Sequence, residues 1–140
     1  MTTLADDLAR DRRTARRFPG SVMSNAKWRR LFTALQQSGL DIQQMLVKFI
    51  DVEDMKVLGP VWLTGTPHAF IDSFNYGPFP LVSIEWLEFP RHARLPRSGS
   101  LPPQEYAQDI VAIRACLEAT GKQFSFEQTA HSLRVLGHVR

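Results

Sequence analysis

Glu85 and Glu88 lie three residues apart in Ile84-Glu85-Trp86-Leu87-Glu88-Phe89, and paired carboxylates are common equipment for general acid–base chemistry. Residues three apart in a strand, however, point to opposite faces, so this spacing makes no dyad. Glu85 is then expected on the face of Leu81, Leu87 and Phe89, where a charge needs a partner. Lys48, inside the apolar run Met45-Leu46-Val47-Lys48-Phe49-Ile50, is the expected partner in a structural ion pair. A second constellation, His68, Asp72, Glu85 and Arg91, would serve a small enzyme if all four converged in one cleft. No Gly-x-Ser-x-Gly motif accompanies it, and Cys116 falls on the flank of a helical apolar stripe, the ordinary place of a buried thiol.

The remaining chemistry-bearing residues exclude more than they offer. His68, His92, His131 and His138 are scattered, none with a second ligand one helical turn away and none near a Cys-x-x-Cys pair, so no metal is expected. The single Gly-Lys, at Gly121-Lys122, closes a helix where a phosphate cradle would open one, and no cofactor is expected. Phe74 and Tyr76 sit in the loop Ser73-Phe74-Asn75-Tyr76-Gly77-Pro78, which holds no Lys or Arg. Stacking on nucleic-acid bases would need a charged groove beside them. They read as loop anchors or as contacts to another protein. With Arg91, Arg94 and Arg97, from the Pro-, Ser- and Gly-rich stretch 91–103, they form the candidate binding set.

These residues are positioned by a readable series of elements. From a Ser24 or Asn25 cap, Trp28, Leu31, Phe32 and Leu35 recur at helical spacing until Gly39. Met45 to Val52 predicts a strand covered on both faces, Val61 to Thr64 and His68 to Asp72 two shorter strands, and Phe79 to Pro90 an apolar, aromatic strand fenced by prolines. A second helix is expected from Pro103 to Thr120, with Tyr106, Ile110, Ile113 and Leu117 on one face, and a last strand from Leu133 to Val139. Strands that follow one another without intervening helices pair antiparallel. The expected class is α+β: a mainly antiparallel sheet of about four to five strands with two helices on one face.

Charge is unevenly placed along the 140 residues, whose formal net charge is +3. Residues 1–22 carry five arginines against three aspartates, and 23–140 carry 12 basic against 11 acidic residues. The folded part is therefore near neutral, which argues against a nucleic-acid-binding face. A break at Phe18-Pro19-Gly20-Ser21 divides a basic arm, 1–22, from a single domain, 23–140. Leu4 and Leu8 make too thin a stripe to dock a Thr3-capped helix, so the arm is expected to be disordered. One cysteine fits a reducing compartment, and no apolar run has the length of a signal or a membrane span. A cytoplasmic protein is expected, with no membrane partner and with its oligomeric state open.

Asn25-Ala26-Lys27-Trp28, Val47-Lys48-Phe49-Ile50-Asp51, Gly77-Pro78-Phe79-Pro80, Ile84-Glu85-Trp86-Leu87-Glu88-Phe89 and Leu133-Arg134-Val135-Leu136-Gly137 together resemble a family of small uncharacterised bacterial proteins. The resemblance spans Asn25 to Gly137 and implies a bacterial, single-domain protein whose domain starts near Met23. It implies no known activity, cofactor or catalytic residue. Two function classes follow: a non-enzymatic protein-interaction module, of which an immunity or antitoxin-like inhibitor is one form, and the small enzyme built from His68, Asp72, Glu85 and Arg91.

Overall fold

The computed structural model describes residues 3–63 and 66–140. Thr64 and Gly65, read above as a strand end and a turn, lie outside the described residues. The architecture is α+β, as expected, with three helices and one principal sheet. Helix α1 spans Leu4–Ala15, strand β1 Gly20–Ser21, α2 Asn25–Gln37, β2 Met45–Phe49, β3 Lys56–Leu58, β4 Val61–Trp62, β5 Phe70–Ser73 and β6 Phe79–Pro80. After a 3-10 turn at Leu81–Ser83 come β7 Ile84–Pro90, β8 His92–Leu95, β9 Gln104–Ala107, α3 Ile110–Glu118, β10 Ser125–Gln128, β11 Ser132–Leu136 and β12 His138–Val139.

The principal sheet is antiparallel throughout, in the order β10-β11-β7-β2-β3. The alternation of β-strand side chains sends Val47, Leu87, Phe89, Leu133 and Val135 to one face. There they join Trp28, Leu31, Phe32 and Leu35 of α2 and Ile110, Ile113 and Leu117 of α3 in a single core. Both expected helices thus cover one face. Helix α2 begins where Ser24 Oγ accepts the Lys27 amide at 3.1 Å, and its chain turns away at Gly39, whose φ of +72° suits glycine.

Five expectations are corrected. The strand expected from Phe79 to Pro90 is broken: Phe79–Pro80 pair with β5, and a 3-10 turn at Leu81–Ser83 precedes β7. Residues 3–22, expected to be a disordered arm, are ordered: Thr3 and Asp6 form a capping box, α1 packs on β6 and the 3-10 turn, and β1 pairs with β12. The stripe that looked thin is completed by Asp11, which continues the Leu4–Leu8 face at i+7 and is buried. The long second helix is shorter, because Gln104–Ala107, Tyr106 included, pair with β8 as a hairpin and Asp109 caps α3 by accepting the Ala112 amide at 3.0 Å. The stretch 91–103, expected to be a loop, accordingly begins with β8. The last strand breaks at Gly137, where a Cβ would stand 2.3 Å from the Ile84 carbonyl oxygen. Trp28 of the α2 stripe is buried, and Trp86 is half-buried on the outer face under the Arg134 guanidinium, 3.7 Å from its ring centre.

One buried side chain ties the two halves of the sheet to α3. The Gln108 carbonyl oxygen accepts the Gln43 and Gln44 amides at 2.7 and 2.8 Å, and its NH₂ group donates to the Gln44 and Pro90 carbonyls at 3.1 and 2.7 Å. This amide uses all its hydrogen-bonding capacity on backbone.

Candidate functional site

The strand β7 carboxylates are both engaged, each with its own cations. Register shifts between Lys48 and Phe49, which pair with Trp86 and Ile84, so Glu85 is the extra residue of a bulge. The bulge frees Glu85 from strict alternation, and it meets Lys48 Nζ at 3.3 Å. The Lys48–Glu85 neighbour expected from sequence is therefore present, but alternation gave the wrong reason for Glu85's direction. Arg140 adds a fork, with Nε 3.0 Å from Oε2 and an NH₂ nitrogen 3.1 Å from Oε1. Burial alone would push the Glu85 carboxyl up, but the hydrogen bonds from Arg140 and Lys48 outweigh it and hold the group below the usual carboxylate range. Glu88 is held by Arg134 at 3.0 and 3.2 Å, with that guanidinium stacked on Trp86. Neither carboxylate is left over for a substrate.

The residues His68, Asp72, Glu85 and Arg91 do not converge. His68 is exposed on a turn, with its carbonyl accepting from Arg29 at 3.4 Å. Asp72 lies in β5, outside the principal sheet, and accepts the Ser73 amide at 2.9 Å. Glu85 stands near the start of β7 and Arg91 just beyond its end, about 20 Å of extended chain apart at roughly 3.3 Å per residue. Sequence reasoning did not single out the other buried carboxylate, Asp11, whose only ion-pair partner among the described residues is Arg10 at 3.3 Å. Burial, chiefly, raises its carboxyl above the ordinary value. Its signal in the sequence was an aspartate at an apolar position of a helical stripe.

The candidate binding residues separate into two groups at opposite ends of β7. Arg94 pairs with Glu105 at 3.3 Å, Arg97 Nε donates to the Pro102 carbonyl at 2.9 Å, and Arg91 is exposed while its backbone bonds to His131 and Gln108. Arg94 and Arg97 thus brace their own hairpin. At the other end, Tyr76 packs edge-on against Phe49, 5.6 Å between ring centres, and its hydroxyl donates to the Val57 carbonyl at 3.1 Å. Phe74 has no such role and is 78% exposed.

The turn that presents Phe74 is rigidly built. Ser73 and Gly77 exchange backbone hydrogen bonds at 3.1 and 3.0 Å, and Ser73 Oγ accepts the Tyr76 amide while donating to the Gly77 carbonyl. Gly77 takes a φ of +64°, which a side chain would disfavour. The Phe74 amide extends the β4–β5 pairing by donating to the Pro60 carbonyl at 2.9 Å. The register Trp62↔Asp72 therefore sets Trp62 diagonally from Phe74 on the same face, roughly 7–8 Å away. Trp62 is 38% exposed and is a second solvent-facing aromatic of this region, which its short, broken strand concealed in the sequence.

The fold and these surfaces define a small single-domain α+β protein with no assembled catalytic cluster at the expected positions. The chain belongs to a family of unknown function, DUF6678, whose model matches residues 11–140. That match takes in the end of α1 and all of β1, beyond the Asn25 start expected from the resemblance. Neither the curated proteins nor the solved structures compared with the chain gave a match. No helix among the described residues is long and apolar enough to cross a membrane, and those residues hold no cluster of metal-ligating side chains.

Proposed function

We propose that this protein is a non-enzymatic protein-interaction module whose contact face is centred on Phe74 and Trp62. The observation that carries the reading is a pre-organised turn that holds an aromatic side chain in solvent while its neighbour Tyr76 is tied down. Large aromatic anchors dominate binding energy at protein interfaces, and a rigid presenting turn lowers the entropy lost on association. Capped carboxylates and dispersed His68, Asp72, Glu85 and Arg91 give the enzyme reading less support. An immunity or antitoxin-like inhibitor is one form of such a module.

The test is recovery of partners by the full chain and by Phe74→Ser/Trp62→Ser from a lysate of the source cells. A stoichiometric partner retained by the wild type and lost by the variant, with unchanged thermal midpoints, supports the reading. Equal recovery by both proteins would remove Phe74 and Trp62 from it.

A further inference from the structure

The two edges of the principal sheet are treated differently. At β3, the register turns the Val57 carbonyl outward, and it is capped by Asn75 Nδ2 at 3.3 Å and the Tyr76 hydroxyl at 3.1 Å. At the other edge, the β10–β11 hairpin closes with the Thr129 amide on the Ser132 carbonyl at 2.9 Å. Alternation then places Ser125 and Glu127 on hydrogen-bonded rungs and turns the N–H and C=O groups of Phe126 and Gln128 outward. No described residue bonds to those outward groups.

Beside this edge runs an open groove of about 940 Å³ between β10, the α3 end and the segment leading into α2. Met23, Phe124 and Phe126 give it an apolar floor, and Lys27, Lys122 and Arg114 give it charge. Arg114 is occupied, 3.4 Å from Glu118 and 4.6 Å from the Phe126 ring centre. Lys27 Nζ donates to the Val22 carbonyl at 3.5 Å, and neither Lys27 nor Lys122 forms an ion pair with a carboxylate among the described residues.

We propose that the free edge of β10 and its groove take up an extended, acidic segment of a partner protein, added to the sheet as a further antiparallel or parallel strand. The outward groups of Phe126 and Gln128 supply backbone hydrogen bonds, the main source of affinity when a strand is added to an edge. Lys27 and Lys122 select negative side chains on the added strand, and Met23 and Phe124 receive apolar ones. A second copy of this chain fits less well, since edge-to-edge pairing would bring two lysine-bearing grooves together. The surface is separate from the Phe74 face, so the inference does not rest on that reading.

The probe is a short, end-capped peptide of the repeat Glu-Thr-Val-Thr, which puts Glu and Val on the same strand face, titrated into the isotope-labelled full chain, with a Lys-Thr-Val-Thr peptide as control. The expected result is saturable shifts and slowed exchange at the Phe126 and Gln128 amides with the acidic peptide alone. Affinity should fall about tenfold in Lys27→Glu/Lys122→Glu. Gln128→Pro removes one outward N–H and also the side-chain acceptor of Arg114, 3.0 Å away, so it should weaken binding where Gln128→Ala, which removes only that acceptor, does not. Phe74→Ser/Trp62→Ser should leave it unchanged, which separates this test from that of the aromatic face. Absence of those shifts up to about 1 mM peptide, the weak end of peptide recognition, overturns the proposal. So does equal binding of the two peptides, or sedimentation showing a dimer that Gln128→Pro dissociates, which would name a second copy as the occupant.

Discussion

Glu85 and Lys48 meet at 3.3 Å although alternation along β7 would send them to different faces of the sheet, because the bulge at Glu85 re-aims its side chain. Arg140 reaches the same carboxylate from the chain's end, so one buried acid is shared by a sheltered ammonium and a largely exposed guanidinium.

Redundancy of partners sets the energetics of this trio. Lys48→Met leaves the Arg140 fork in place and is expected to cost about 1 kcal/mol or less, and Arg140→Ala is expected to change stability little because that side chain is solvent-screened. The two changes together strand a buried carboxylate and are expected to cost about 3 kcal/mol. A denaturant-based double-mutant cycle reads the excess over additivity. Additive losses would mean that Glu85 is solvated from elsewhere.

Glu85 and Asp11 should bend the pH profile in opposite senses. The Glu85 carboxyl is depressed in the fold, so its stabilisation is present above its ordinary value of 4.5 and lost as pH falls through the lower folded value. The Asp11 carboxyl is raised, so its ionisation costs stability above the folded value, and that cost fades as pH falls towards 3.8. Asp11→Asn is therefore expected to raise the melting midpoint at neutral pH and to converge with the wild type in acid. A lower midpoint at neutral pH would show that the Arg10 pair outweighs burial.

Deleting residues 1–22 is expected to destabilise the fold by about 2 kcal/mol or more. The deletion removes the docked face of α1 and the β1–β12 rungs. It also removes the Ser21 hydroxyl, 3.1 Å from Nδ1 of buried His138, whose Nε2 donates to the Val82 carbonyl at 2.7 Å. Thermal melts of the two chains decide it, and coincident melts would mean that α1 and β1 add nothing to the core.

Gln108→Ala is expected to cost about 3 kcal/mol, since it leaves two amide donors and two carbonyls of a covered junction without their side-chain partner. Hydrogen exchange at Gln43 and Gln44 should speed up selectively. A loss below about 1 kcal/mol would show that water replaces the side chain at this junction.

Trp28→Ala is expected to cost about 3–5 kcal/mol, the usual range for truncating a buried aromatic side chain. In the wild type, iodide should quench Trp62 and leave Trp28 protected, and free quenching of Trp28 would contradict the packing of α2.

Local pattern alone determined α2, the β2 strand, the Ile84–Pro90 part of the strand expected over 79–90, the antiparallel α+β class and the choice of Lys48 as partner for Glu85. In those segments the apolar period, the caps and an isolated charge all demand one answer. Tertiary structure decided the rest, where local signals are weak or are overruled by partners distant in sequence. Residues 104–107 read as helix until β8 offers them a ladder, and α1 reads as unable to dock until a buried Asp11 is allowed in its stripe. The direction of Glu85 depends on a bulge that no periodicity announces. The position of Trp62 relative to Phe74 and the open edge of β10 depend on which strands lie beside which, a relation between segments that no single stretch of sequence contains.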